Sequence, residues 1–222
     1  MSRYQNGGRD AYGPEAREAL HASDPVMRRL IDAHPSFDPK AWRRYGPTTD
    51  PFGTLLRVVI GQQVSTSAAR AILGRLSALF GDRPPTPSEL LAAEEEELRS
   101  VGLSRQKLSY LRNLAERVES GALDRDRLAG LPDDEVRERL MSVKGIGPWS
   151  ADMFLLRELG RPDVLPSGDV GIRKAVQKVY GLPAPPTPAE VELLGEKWRP
   201  YRSLATAYLF ASLADATEPT RA

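Results

Sequence analysis

The sequence predicts an all-α protein built as two helical lobes. Three observations carry that expectation. Apolar residues recur at helical spacing along most of the chain. No stretch combines β-branched enrichment with strict alternation. The 19 prolines fall mainly between the periodic segments, where they separate one helix from the next.

Taken in order, residues 1–12 are rich in Gly, Asn and Arg and are expected to be disordered. Pro14 to Leu20 reads as a short helix. Asp24 caps a second one, with Pro25 in its first turn and Val26, Leu30 and Ile31 on its apolar face. Pro35 to Pro51 is a proline-broken connection carrying Trp42 and Tyr45, aromatics expected to pack a lobe. Phe52 to Gln62 is apolar on nearly all sides and reads as a central helix. Ser65 or Thr66 caps the helix that runs to Phe80-Gly81. Thr86 or Ser88 starts a short helix, and the acid run Glu94 to Glu97 opens another that reaches Val101. Gly102 closes that helix and Ser104 caps an amphipathic one with Leu108, Leu111, Leu114 and Val118 on one face. Leu123 to Leu131 is a short linking element. Pro132-Asp133-Asp134 opens the next helix, which ends near Val143. Trp149 to Leu159 forms its partner. After a loop, Val170 to Tyr180 is helical, Thr187 caps a further helix, and Ser203 to Ala214 is the last.

Composition bounds the function. Formal net charge is +1, from 31 basic and 30 acidic residues, so any attraction for a polyanion must be local. The chain has no cysteine, which excludes a disulfide framework, a cysteine zinc site and a cysteine-ligated iron–sulfur cluster. Its two histidines, His21 and His34, stand apart and read as surface or helix-end residues. No apolar run is long enough to cross a bilayer and no signal-peptide core is seen, so a soluble, cytoplasmic monomer is expected, away from membranes.

The stretch Ser142-Val143-Lys144-Gly145-Ile146-Gly147-Pro148-Trp149 joins two helices through a glycine bend. Glycines tolerate positive φ, and Pro148 suits the first turn of the second helix. The amides of Gly145, Ile146 and Gly147 are expected to point outward at the positive end of that helix, a seat for a phosphate. Downstream, Asp169 precedes the helix from Val170. On its own it reads as an N-cap.

This hairpin with its downstream aspartate resembles the helix-hairpin-helix DNA glycosylase superfamily. Within it the likeness is to the AlkA-type 3-methyladenine DNA glycosylases, in a compact form without their extra N-terminal domain. The segments Ile60-Gly61-Gln62-Gln63-Val64-Ser65 and Gly102-Leu103-Ser104-Arg105-Gln106-Lys107 share in the likeness, which covers residues 51–214. The resemblance implies a lobe of residues 13–60 plus 161–222 carrying Asp169, a lobe of residues 61–160 carrying the hairpin, and a DNA groove between them.

The resemblance also implies the chemistry and the partner, damaged double-stranded DNA. An enzyme that cuts a base from its sugar must first swing the nucleotide out of the stack. Lys144, Gly145, Ile146 and Gly147 would anchor the phosphate backbone, helped by Arg105 and Lys107. Backbone carbonyls of Ser142, Val143 and Gly145 are the expected seat of a Na+ or K+ ion; no other cofactor is implied. Gln63 or Gln62, with Ser65 nearby, would fill the gap left by the flipped nucleotide. Asp169 would face the oxocarbenium-like sugar. Trp149, with Met153, Tyr208 and Phe210, would line the base pocket, where an indole face attracts cationic alkylated purines. Relatives that also cut the backbone carry a lysine at the Trp149 position, and tryptophan cannot form their Schiff base. The implied reaction is therefore hydrolysis alone, opening base excision repair. Two alternatives stay open: a glycosylase for another damaged base, and a non-catalytic hairpin module that binds DNA.

Overall fold

A computed structural model describes residues 10–43 and 50–214, and every regular element among them is helical. In chain order these are α1 (Pro14–Ser23), α2 (Pro25–Ala33), α3 (Pro39–Arg43), α4 (Pro51–Gly61), α5 (Thr66–Leu79), α6 (Pro87–Ala92), α7 (Glu95–Ser100), α8 (Arg105–Glu119), α9 (Arg125–Ala129), α10 (Asp133–Met141) and α11 (Pro148–Phe154). A π-helical turn (Leu155–Leu159) follows, then α12 (Val170–Tyr180), α13 (Pro188–Gly195), a 3-10 turn (Glu196–Trp198) and α14 (Arg202–Ala214). No described helix is long and apolar enough to cross a membrane.

The starts are set as the capping residues dictate. Asp24, Asp50, Ser65, Thr86, Ser104, Asp124, Asp169 and Thr187 each accept a backbone N–H from the first turn of the helix they precede. Thr86 with Glu89 and Thr187 with Glu190 complete capping boxes.

The chain divides into two compact units. One takes the described residues up to 43 and those from 159 onward; the other takes 50–158. In the first, Leu20, Met27 and Ile31 of α1 and α2 pack with Ile172, Val176, Trp198, Leu204 and Leu209 in one core. Asp24 lies inside this unit, 1 % exposed. It accepts hydrogen bonds from Val26 N–H, Trp198 Nε1 and the Tyr180 hydroxyl, and pairs with Lys197 Nζ at 2.9 Å. Burial alone would raise its pKa; the donors outweigh that and bring it down to about 2.

In the second unit α4 is central, with Leu55, Leu56, Val59 and Ile60 all within 1 % of fully buried. It packs against α8, α5 and α11. This corrects the expected lobe boundary at residue 60. A helix apolar on every side gives no sign in sequence of which neighbours surround it, and α4 belongs with the middle of the chain.

Three further expectations change. Residues 1–9 of the stretch expected to be disordered lie outside the described residues, but Asp10 to Tyr12 form a turn in which Ala11 is buried. The proline-broken connection contains α3; the Trp42 side chain and Tyr45 lie outside the described residues. The second hairpin helix is not uniform to Leu159, because its last turn widens to π geometry. There Glu158 is buried, its carboxylate accepting from Thr54 Oγ1 at 2.8 Å and Arg125 Nε at 2.6 Å.

Candidate functional site

The hairpin is α10, the bend Ser142–Gly147 and α11. Its bend is seated on α8. Lys144 donates its N–H to Asn113 Oδ1 at 3.1 Å and its ammonium reaches Ser109 Oγ at 3.3 Å. Gly145 has φ +85°, and a Cβ there would fall 2.2 Å from Cδ2 of Tyr110. Only glycine satisfies both the backbone and the ring.

On the other side of the bend stands Gln62. It caps the C-terminus of α4, and its Nε2 donates to the Gly145 carbonyl at 2.9 Å and lies 3.2 Å from Ser150 Oγ. The next residue, Gln63, turns into the left-handed region at φ 57° and is exposed, as are Val64 and Ser65. By position in the sequence Gln63 is the better candidate gap-filler, with Gln62 beside it as the alternative. The structure separates them: Gln62 is held by the hairpin, while Gln63 stands out on a turn.

The amides differ in part from expectation. Ile146 donates its N–H to the Val143 carbonyl at 3.0 Å within the bend, and its side chain is buried. Lys144 N–H is likewise committed, to Asn113. That leaves the glycine amides of Gly145 and of Gly147, the N-cap residue of α11, as the bend's candidate phosphate donors. Of the carbonyls expected to seat a monovalent cation, Val143's accepts from Ile146 and Gly145's accepts from Gln62. Each of these carbonyls has a second lone pair, which a cation could share with the hydrogen bond. Ser142 is exposed, its hydroxyl donating to the Arg139 carbonyl at 2.7 Å.

Arg105 and Lys107, both near the N-terminus of α8, part company. Arg105 is exposed. Lys107 donates from Nζ to the Ile60 carbonyl at 2.5 Å, and burial lowers its pKa. It satisfies an orphan carbonyl of the last turn of α4 rather than standing ready for a phosphate.

In the other unit Asp169 caps α12. Its Oδ1 accepts from Ile172 N–H at 2.8 Å and its own N–H donates to the Pro166 carbonyl at 2.9 Å. The residue is half-buried. A Cβ on Gly171 would lie 2.9 Å from Asp169 Oδ1 and 3.3 Å from Cε1 of Phe210. Gly171 thus leaves room for the carboxylate and the Phe210 ring to share one place on the α12–α14 face. Sequence reasoning missed Gly171, and its only signal was a glycine two residues after Asp169.

Two other aspartates of these segments are held by arginines. Asp163 pairs with Arg199 and, at 2.8 Å, with Arg202. Asp152 has a side chain only 16 % exposed and accepts from Arg137 Nε at 2.9 Å.

Among the expected pocket residues, Trp149 is half-buried at the first turn of α11 and Met153 is buried on the same helix. Tyr208 is a correction. It is fully buried, its ring 5.1 Å from that of Phe37, and it belongs to the apolar core of its unit rather than to an open wall. Its helical spacing along α14 fitted either place, and the core took it.

Comparison with known proteins sets these parts in a family. The model of the HhH-GPD superfamily base excision DNA repair protein matches residues 56–200. The chain is 33% identical over 206 residues to DNA-3-methyladenine glycosylase 1 of Schizosaccharomyces pombe, covering 91% of this chain and 89% of that protein. The solved structure of S. pombe 3-methyladenine DNA glycosylase in complex with abasic DNA superposes with a TM-score of 0.80 at 31% identity, over 92% of this chain and 100% of that one. DNA-3-methyladenine glycosidase from Bacillus halodurans gives a TM-score of 0.73 at 32% identity, over 93% of this chain and 94% of that one.

Proposed function

Because this chain belongs to the HhH-GPD superfamily of base excision DNA repair proteins, we propose that it is a monofunctional DNA glycosylase. Its substrates are N3- and N7-alkylated purines in duplex DNA. The bond broken joins the base nitrogen to C1′ of deoxyribose. The bonding pair leaves with the base, a water oxygen bonds to C1′, its proton is released, and an abasic site remains.

An alkylated purine already carries positive charge, so it departs without being protonated. What the protein must supply is a grip on the strand, a filler for the gap, a base pocket and a negative charge at the sugar. The glycine amides of Gly145 and Gly147, with the dipole of α11, form the grip. Gln63 fills the gap. Trp149 offers its indole to the cationic base, worth roughly 0.5–2 kcal/mol. Asp169 stabilises the developing charge on the sugar and orients the attacking water. Phe210, whose ring borders the same space over Gly171, gives that carboxylate an apolar neighbourhood.

The observation that carries this reading is the placement of Asp169. One oxygen is held by a helix N-terminus, an aromatic ring lies alongside, and Gly171 keeps the space open. The enzyme acts as a monomer, inside the cell, on DNA.

The test is a panel of duplexes carrying methylated, deaminated or oxidised bases, scored for free base and for strand cleavage. Release of 3-methyladenine or 7-methylguanine without borohydride-trappable covalent adduct is expected. Preferential release of uracil or an oxidised purine would move the protein to another substrate class, and a trapped adduct would contradict the hydrolytic reading.

A further inference from the structure

Gln62 stands one residue before the proposed gap-filler and touches the proposed phosphate grip. Its backbone N–H closes the last turn of α4 on Val59, and the chain then reverses through Gln63 in the left-handed region. Its side-chain nitrogen meets the Gly145 carbonyl on one side of the hairpin bend and the Ser150 hydroxyl, on a residue 2 % exposed, on the other. A primary amide has two N–H groups, and both have an acceptor here. The turn that follows, Gln63 to Ser65, is exposed, and the bonds of Gln62 tie its origin to the hairpin beyond the packing of α4 on α11.

We propose that Gln62 is a positioning residue that makes the Gln63 turn and the phosphate-gripping bend one rigid body. Gripping the strand then carries Gln63 into the helix, and the two steps of base flipping occur together. The inference rests on Gln63 being the gap-filler. Misplacing a filling group by an ångström costs far more than the loss of one exposed contact, because the flipped state is uphill by roughly a few kcal/mol.

The experiment compares Gln62→Ala, Gln63→Ala and the double variant in single-turnover excision of 7-methylguanine. Two duplexes are used, one with the lesion paired and one with it opposite an abasic gap, where unstacking is already cheap. Flipping is followed in parallel by 2-aminopurine fluorescence beside the lesion. Each single variant should slow excision from the paired duplex by roughly 10-fold or more, with DNA affinity changed less. Both should recover to within about 3-fold on the gapped duplex, and the double variant should be no slower than either single one. If Gln62→Ala unfolds, Gln62→Met keeps the side-chain length without the donors and replaces it. A slow Gln63→Ala with a wild-type Gln62→Ala, or losses that multiply in the double variant, would overturn the coupling alone. A wild-type Gln63→Ala would overturn the gap-filler reading and the coupling with it.

Discussion

Gly145 lies against the ring of Tyr110 so closely that a methyl group on it would meet Cδ2 at 2.2 Å, and its backbone sits at φ +85°. Gly145→Ala therefore meets two penalties at once. Left-handed backbone costs an L residue roughly 1–2 kcal/mol, and overpacking adds roughly 1–3 kcal/mol. Stability should fall by a few kcal/mol, and affinity for undamaged duplex should fall with it, regardless of sequence. Adding Tyr110→Ala should restore part of the loss by removing the overlap and leaving the strain. Denaturant unfolding and duplex titration check both; a wild-type midpoint for Gly145→Ala would contradict the seat on α8.

Trp149 is half-buried at the start of the helix whose N-terminus would face the phosphate. Trp149→Ala should reduce excision of cationic bases more than of neutral ones, by the roughly 0.5–2 kcal/mol of a cation–π contact. Paired rates on 7-methylguanine and hypoxanthine duplexes measure this. Equal losses on both would remove the charge argument and leave stacking alone.

Arg105 and Lys107 should separate cleanly. Arg105→Gln removes an exposed charge, so the slope of log affinity against log salt should shrink by about one if it meets a phosphate. Lys107→Gln should leave that slope unchanged. It should instead lower stability, because the Ile60 carbonyl loses its donor. A salt slope that falls for Lys107→Gln would return it to the DNA surface.

Asp24 makes a pH prediction. Its folded pKa is about 2, below its ordinary value of 3.8. A depressed carboxyl contributes stability that is complete above the unfolded pKa and is lost as pH falls through the folded one. The contribution, about 2 kcal/mol, should be present above roughly pH 4 and fade toward pH 2. Asp24→Asn should lose it at neutral pH and flatten the acid limb of the stability curve. Thermal unfolding between pH 2 and 7 tests this; an unchanged acid limb would contradict it.

The elements were legible in sequence because their ends are marked chemically. Asp24, Ser65, Ser104, Asp169 and Thr187 announced helix starts, and each accepts the expected N–H. What sequence could not give was partnership across distance. Gln62 and Gln63 are chemically identical, and although position favours Gln63 as the filler, the role of Gln62 shows only in its bond to the hairpin 83 residues later. Lys107 looked like a free cation until the end of α4 met it. Ile146 looked like a third outward amide, but the bend folds it back onto Val143. Tyr208 and Phe210 lie two positions apart on one helix. Tyr208 falls inside the core, while Phe210 packs on its edge and borders the space over Gly171 that Asp169 also borders.

Asp169→Asn tests the central claim most directly. Asparagine caps a helix about as well as aspartate, so α12 and the fold should survive while the charge is lost. Duplex affinity and the unfolding midpoint should stay near wild type, and release of 7-methylguanine should fall by roughly 10²–10⁴-fold. Release at the wild-type rate, with binding unchanged, would mean that this carboxylate is a helix cap and nothing more.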